Sequence, residues 1–185
     1  GRALGDRDGR PAARARLKMA GRRTEARRYA VLALYQWQVS RLSPAEIASH
    51  FFDDPAWMEA IAEGMSEGHD EPSNPAPSAP RVARAYDHQL FDSLLRGVPD
   101  KADQIDDALR GNLDRSLQSL DPVERSILRI GTYELLFSLE LPARIIINEA
   151  VELAKAFGAE QGHRYVNAVL DRVAHRARAE ELARN

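Results

Sequence analysis

The sequence contains no cysteine, which excludes disulfide bonds and thiolate metal sites. Aromatic residues make up only 6% of the 185 residues, and no stretch alternates polar and apolar residues as a half-buried β-strand does. No apolar run approaches the roughly 20 residues of a membrane span, and the N-terminal residues lack the hydrophobic core of a signal peptide. We therefore expect an all-α, cytoplasmic protein with no membrane partner.

Motifs typical of enzymes are also missing. The 5 histidines are scattered, and no pair has metal-ligand spacing backed by a carboxylate. Neither a glycine-rich phosphate loop nor a nucleophile elbow is present. Glu149 and Glu152 fit a solvated helix face better than an acid/base pair. We predict that the protein has no catalytic activity and needs no metal or cofactor.

Charge is distributed unevenly along the chain. Residues 1–28 contain ten arginines and lysines against three acidic residues, whereas the rest of the chain has 16 basic and 25 acidic residues. A basic segment beside an acidic body indicates a polyanion bound at one end and a different partner for the body. Because residues 1–21 have little apolar periodicity, we predict that they form a disordered basic arm.

Apolar periodicity and capping motifs predict about seven helices. Thr24 is a candidate N-cap of the first helix, and Ser43 opens a capping box with proline at the first helical position. Asp121 repeats that pattern ahead of a strongly apolar helix. Another helix is expected at about 82–96, where Gly97 would end it.

The stretch from Ile145 to Val173 predicts two helices joined by a tight turn at Gly158. The first helix carries apolar residues at helical spacing, which are Ile146, Ala150, Leu153 and Phe157. The apolar stripe of the second consists of Val166, Val169, Leu170 and Val173. Asn167 lies within this stripe, and we expect it to be a buried residue that fixes helix packing by hydrogen bonds.

Four blocks of the sequence resemble the NusB family of bacterial transcription antitermination factors. The last block reads INEAVELAKAFG followed by HRYVNAVLDRV, and the blocks before it read RRYAVLALYQWQ, FDSLLRGV and VERSILRIGTYELLF. Four blocks in the family's order, spread from about Arg22 to Ala174, make a specific match. The resemblance implies two packed small helical bundles without catalytic activity.

This resemblance leads to a division of the chain. We expect a disordered basic arm at 1–21, an N-terminal subdomain at 22–111, a C-terminal subdomain at 112–174 and a helix end or tail at 175–185. Residues 66–80 contain four prolines and almost nothing apolar, which predicts an exposed loop inserted into the N-terminal subdomain.

The resemblance also implies partners. The protein would bind the boxA sequence of nascent RNA, notably from ribosomal RNA operons, as a heterodimer with NusE, the small-subunit ribosomal protein, in the RNA polymerase antitermination complex. The RNA-binding residues would be Arg22, Arg23, Arg27, Arg28, Lys155, Gln161 and Tyr165. The residues that bind NusE would lie on one exposed helix edge, and are Glu124, Arg129 and Glu134.

Physical arguments support part of this assignment. Cations near a helix N-terminus oppose its dipole, and a bound phosphate would remove that conflict. We expect Arg27 and Arg28 to be exposed at a frayed helix end, so that replacing both with alanine would weaken RNA binding and leave the fold intact. Tyr165 offers a ring for base stacking, although a half-buried packing role fits it equally well.

Two alternatives stay open. One is the NusB-like RNA-binding domain of an rRNA cytosine methyltransferase, which would also need a methyl-donor domain and catalytic cysteines that this chain lacks. The other is a homodimeric scaffold that binds only protein. RNA affinity that falls with salt distinguishes RNA binding from the scaffold.

Overall fold

The structure is a computed structural model and describes residues 9–53, 85–157 and 161–184. These ranges contain eight α-helices, one short 3-10 helix and no strand, which confirms the all-α prediction. No helix among them is long and apolar enough to cross a membrane. The helices are α1 (Gly9–Val39), α2 (Pro44–Asp53), α3 (His88–Asp100), α4 (Ala102–Arg110), η1 (Leu117–Ser119), α5 (Pro122–Phe137), α6 (Ala143–Phe157), α7 (Gly162–Ala177) and α8 (Ala179–Ala183).

Helix α1 begins fifteen residues before the N-cap predicted at Thr24, and that prediction was wrong. Thr24 instead lies inside the helix, with its hydroxyl oxygen 3.2 Å from the backbone carbonyl oxygen of Ala20, one turn earlier. The predicted basic arm is therefore helical from Gly9, but every residue from 11 to 21 is exposed. Alanine, leucine, arginine and lysine dominate this arm, and their high helix propensity favours its continuation of α1.

Two predicted helix starts are confirmed. The Ser43 hydroxyl accepts from the Glu46 N–H at 3.2 Å, and the Glu46 carboxylate accepts from the Ser43 N–H at 2.8 Å. Asp121 accepts from the N–H groups of Val123 and Glu124 at 2.9 and 3.3 Å. Both motifs satisfy backbone donors within three residues of the cap, so the local sequence is sufficient to specify them.

Helix α3 differs from its prediction at both ends. It begins at His88, with Asp87 as N-cap accepting from the Leu90 N–H at 3.0 Å, and it continues through Gly97 to Asp100. Gly97 thus does not end the helix. A Cβ there would lie 2.6 Å from Cζ of Tyr133 on α5, so glycine allows α3 to approach α5 closely.

Helix α5 lies in the middle of the described fold, in contact with α1, α3, α4, α6 and α7. Its side chains Ile127, Leu128, Ile130 and Leu135 are at most 1% exposed. Gly131 brings α5 close to α7, since a Cβ there would lie 2.6 Å from a methyl group of Leu170. The strongly apolar helix predicted after Asp121 is confirmed, and Leu139, two residues past its end, is 71% exposed.

The α6–α7 pair is confirmed where the structure describes it, and the predicted stripe of α7 is buried. Asn167 is exposed, so its predicted buried role was wrong. It immediately follows the buried Val166, and the turn of about 100° per residue moves it out of the stripe. Gly158 and residues 66–80 lie outside the described residues. The subdomain boundaries stay predictions.

Candidate nucleic-acid interface

Arg27 lies in the interior rather than at an exposed helix end. Its side chain is 3% exposed, and Nε and Nη2 donate to the carboxylate of Glu134, itself 1% exposed, at 2.9 and 2.8 Å. This two-pronged contact joins α1 to the central α5 across 107 residues of sequence. The prediction that Arg27 is exposed was therefore wrong, and its guanidinium stabilises the fold.

Glu149 extends this buried pair toward the surface. Its carboxylate lies 3.6 Å from Nη1 of Arg27 and accepts from the Thr24 hydroxyl at 3.0 Å. Burial lowers the pKa of Arg27, but the hydrogen bonds and charge of Glu134, with smaller effects of Glu149 and Asp87, outweigh it and raise that pKa. Glu149, expected on a solvated face, is thus one anchor of α1 on α6.

The other three arginines of the predicted set are partly exposed on α1. Arg23 is 35% exposed and 3.9 Å from Asp87, and Arg28 is 32% exposed and 3.6 Å from Glu25. Arg22 is also half-buried. The ion pairs of Arg23 and Arg28 are long and both guanidinium groups are partly exposed, so these two arginines can exchange their partners for a phosphate at low cost.

Arg28 connects α1 to the end of α6. Its guanidinium carbon lies 5.8 Å from the ring centroid of Phe157, the last residue of α6. Lys155 is in the same final turn, 50% exposed, with Nζ 3.0 Å from Glu152. The structure therefore brings two predicted RNA-binding residues, Arg28 and Lys155, to one end of α6.

Tyr165 has a defined polar setting in the first turns of α7. Its hydroxyl donates to Asp114 at 2.9 Å, and the guanidinium carbon of Arg115 lies 4.8 Å from its ring centroid. Burial and the hydrogen bond to Asp114 raise the pKa of Tyr165. The hydrogen bonds from Arg115 and Tyr165 lower the pKa of Asp114, so this carboxylate stays ionised at neutral pH.

Gln161 precedes α7 and is exposed. It occupies the N-cap position without a side-chain capping hydrogen bond, and the first turn of α7 contains no acidic residue. No residue of its own first turn offers a carboxylate to the positive end of this helix dipole, and Glu124 of α5 lies there instead, with Oε1 3.6 Å from the position of a Cβ at Gly162.

Asp114 and Arg115 were not predicted as site residues. Their neighbourhood to Tyr165 depends on a contact across 51 residues, and nothing in the local sequence indicates it. An adjacent acidic and basic residue in a connecting segment reads as an ordinary solvated pair. No pattern in the sequence therefore indicates that Asp114 and Arg115 lie beside Tyr165.

The three residues predicted to bind a protein partner do not share one exposed edge. At about 100° per residue, positions five apart on a helix point about 140° apart, so Glu124, Arg129 and Glu134 must face different ways. Glu134 is buried with Arg27, and Arg129 forms a two-pronged pair with Asp106 at 2.9 Å, both side chains being 12% exposed.

Glu124 is the most accessible of these three residues. It is half-buried at the start of α5, and its Oε1 would lie 3.6 Å from a Cβ at Gly162. Burial raises the pKa of Glu124, and the charge of Asp121 adds to this effect. The structure thus places Glu124 beside the first turn of α7 and not beside Arg129.

Comparisons with known proteins identify the family of this chain. The NusB family model matches residues 24–175, which is most of the chain. The chain belongs to the NusB family. Its NusB relatives include the transcription antitermination protein NusB of Nitrosococcus oceani, 42% identical over 89% of this chain and 93% of the relative. That of Alkalilimnicola ehrlichii is 44% identical over 82% of this chain and 80% of the relative.

A solved NusB structure has the same fold. NusB of T. maritima is 31% identical, with a TM-score of 0.54 over 86% of this chain and 96% of that one. The names of the NusB relatives describe transcription antitermination proteins and not enzymes. Transcription antitermination is therefore the function class of the family to which this chain belongs.

Proposed function

We propose that the protein binds boxA RNA of nascent transcripts, notably from ribosomal RNA operons, as a heterodimer with NusE in the RNA polymerase antitermination complex. It acts without catalysis and in the cytoplasm. The RNA surface comprises the partly exposed face of α1, the end of α6 and the start of α7. Its residues are Arg22, Arg23, Arg28, Lys155, Gln161 and Tyr165.

The contact of Arg28 with Phe157 is the observation that carries this proposal. It places the arginine-rich part of α1 beside the end of α6, which leads along the chain to Gln161 and Tyr165. This contact joins the arginines of α1 and the predicted residues near the start of α7 into one surface that a single RNA strand can contact. Because Arg27 is buried with Glu134, it is left out of the RNA surface.

Each group supplies a different part of RNA recognition. Arginine forks make charge-assisted, two-pronged contacts with phosphate oxygens, so they supply affinity that falls as salt rises. The ring of Tyr165 supplies a stacking surface, and an unpaired base stacked on an aromatic ring contributes roughly 1–3 kcal/mol. Gln161, with both a donor and an acceptor, can read a base edge.

The proposal of NusE as partner depends on the family, with one supporting observation from the structure. Glu124 is accessible next to the start of α7, so a protein bound there would lie beside the proposed RNA surface. Arg129 and Glu134 carry no part of this interface, since their charges are satisfied by Asp106 and Arg27. The competing interpretation is that the surface around Glu124 binds a second copy of this chain in a homodimer.

The test is a titration of labelled boxA RNA with the protein, with and without NusE, at two salt concentrations. We expect tighter binding with NusE and weaker binding at the higher salt concentration. A scrambled RNA of equal length is the control for sequence preference. Absence of RNA binding in every condition would reject the proposal and favour the scaffold that binds only protein.

A further inference from the structure

One face of α7 extends beyond the RNA surface proposed above, from Tyr165 to Arg172 and Arg176, which lie seven and eleven positions further along the helix. We call this face, with the depression at its far end, the groove. At about 100° per residue these spacings return to within roughly 20° of Tyr165, so all three side chains share one face of α7. The far end opens into a depression of about 380 Å³ lined by Asn112, Asp171, Arg172, His175 and Arg176.

The segment 111–115 forms the opposite side of this groove. Nε and Nη2 of Arg172 donate to the backbone carbonyl of Asn112 at 3.1 and 2.9 Å, and the Tyr165 hydroxyl donates to Asp114 at 2.9 Å. At Gly111 a Cβ would lie 3.0 Å from Nη1 of Arg176. The segment therefore runs antiparallel to α7 along the whole face from Arg176 to Tyr165.

The arginines in this region differ in how their charges are balanced. Arg110 pairs with Asp107 at 2.7 Å, and Arg115 pairs with Asp114 at 2.9 Å. Within the part of the chain that the structure describes, neither Arg172 nor Arg176 forms an ion pair with a carboxylate. These two guanidinium groups are a helical turn apart, so their like charges repel unless an anion lies between them.

The one acidic residue that lines the depression, Asp171, offsets only part of this charge. Oδ2 of Asp171 lies 3.5 Å from Nδ1 of His175, one turn further along α7. The same His175 nitrogen lies 2.8 Å from the backbone carbonyl of Asp171. Asp171 shares the depression with Arg172 and Arg176, whose exposed guanidinium groups outnumber this one carboxylate.

We propose that Arg172 and Arg176 bind backbone phosphates of the same RNA strand that contacts Tyr165. This inference rests on the RNA binding proposed above and extends its path by about 16 Å along α7. The groove suits a single strand because it has a ring at one end and, at the other, two guanidinium groups that pair with no carboxylate among the described residues. Arg172 keeps its contact with Asn112 and presents its remaining Nη1 donors to the phosphate.

The test uses Arg176, because replacing Arg172 would also remove the hydrogen bonds to Asn112 and could disturb the fold. Labelled boxA RNA is titrated with the full chain carrying Arg176→Ala or Arg176→Lys at several salt concentrations. Arg41→Ala is the matched control, since Arg41 is exposed, lies between α1 and α2, and likewise forms no ion pair among the described residues.

We expect Arg176→Ala to weaken RNA binding roughly tenfold. The slope of log affinity against log salt, which is negative, should become shallower by about 0.7, the value for one phosphate of a single strand that is no longer neutralised. Arg176→Lys keeps the charge and should retain most of the affinity, and Arg41→Ala should bind as the wild type does. When the RNA is shortened at the end that contacts Arg176, Arg176→Ala and the wild type should bind it with equal affinity.

Two results would overturn this inference in different ways. If the wild type binds RNA but Arg176→Ala has the same affinity and salt slope, the groove takes no phosphate and the proposed function stands. If Arg176→Ala instead weakens binding of NusE in the absence of RNA, the groove takes a protein segment. Absence of RNA binding by the wild type would reject the proposed function together with this extension.

Discussion

Arg27 and Arg28 are neighbours on α1 and have opposite roles. Arg27 is 3% exposed and bound to Glu134, whereas Arg28 is 32% exposed and in contact with Glu25 and Phe157. The rotation of about 100° between adjacent residues is enough to move one guanidinium into the core and leave the next at the surface. A run of arginines in a sequence is therefore not one functional unit.

The same contrast appears in two sets of arginines. The interior arginines are Arg27 and Arg178, which are 3% and 7% exposed. Arg178 donates to the backbone carbonyls of Glu134, Leu135, Ser138 and Leu141, and so satisfies the end of α5 and the connection to α6. The surface arginines are Arg22, Arg23 and Arg28. We expect substitutions to separate the two sets, one by stability and the other by RNA affinity.

The largest expected effect is that of Arg27→Ala. It leaves the carboxylate of Glu134 buried without its partner, which costs roughly 3–5 kcal/mol of unfolding free energy. Chemical denaturation of the purified variant measures this loss. Arg28→Ala is the matched control from the other set, and an Arg27→Ala variant as stable as that control would remove the distinction between the sets.

Arg178→Ala should come next. Four backbone carbonyls lose a charged donor, although those of Glu134 and Ser138 keep the N–H groups of Ser138 and Leu141. We expect a loss of about 1–3 kcal/mol because a buried carbonyl that loses its hydrogen bond is costly. Thermal and denaturant unfolding measure it, with Arg184→Ala on the exposed end of the chain as the control. Equal stability of the two variants would show that water replaces the guanidinium at these carbonyls.

Arg28→Ala should act on RNA binding and not on the fold. We expect a loss of roughly 1 kcal/mol in affinity for labelled boxA RNA, about fivefold, because one charge-assisted contact is removed. Arg28→Lys keeps the charge but loses the two-pronged geometry, so its RNA affinity should lie between those of the wild type and Arg28→Ala. An affinity equal to that of the wild type would exclude Arg28 from the RNA surface.

The smallest effect is expected for the stability of Arg23→Ala. Its ion pair with Asp87 is 3.9 Å long, and the Arg23 side chain is 35% exposed, so the unfolding free energy should change by less than about 0.5 kcal/mol. A loss much larger than this in chemical denaturation would place Arg23 with the interior arginines.

The parts of the fold that could be predicted are those specified by nearby residues. Ser43 and Asp121 cap helices through donors two or three positions away, and the apolar stripes of α6 and α7 follow from helical spacing. The four sequence blocks resembling the NusB family indicated the fold class correctly. Local chemistry and periodicity were sufficient for these features.

The burial of Arg27 could not be read in the same way. Glu134, which neutralises it, is 107 positions away, and only the packing of α1 on α5 brings the two together. Before that packing is known, an arginine among other arginines reads as solvated. For the same reason the predicted double variant of Arg27 and Arg28 would lose stability as well as RNA affinity, so it cannot test the RNA surface.

The central claim is that the surface arginines of α1 bind RNA and are dispensable for the fold. The most direct test is the salt dependence of boxA RNA affinity for a variant with Arg22, Arg23 and Arg28 all replaced by alanine, with stability measured in parallel. We predict an unchanged free energy of unfolding. The negative slope of log affinity against log salt should become shallower by about 2, which is about 0.7 for each of three phosphates. An unchanged slope with wild-type affinity would contradict the claim.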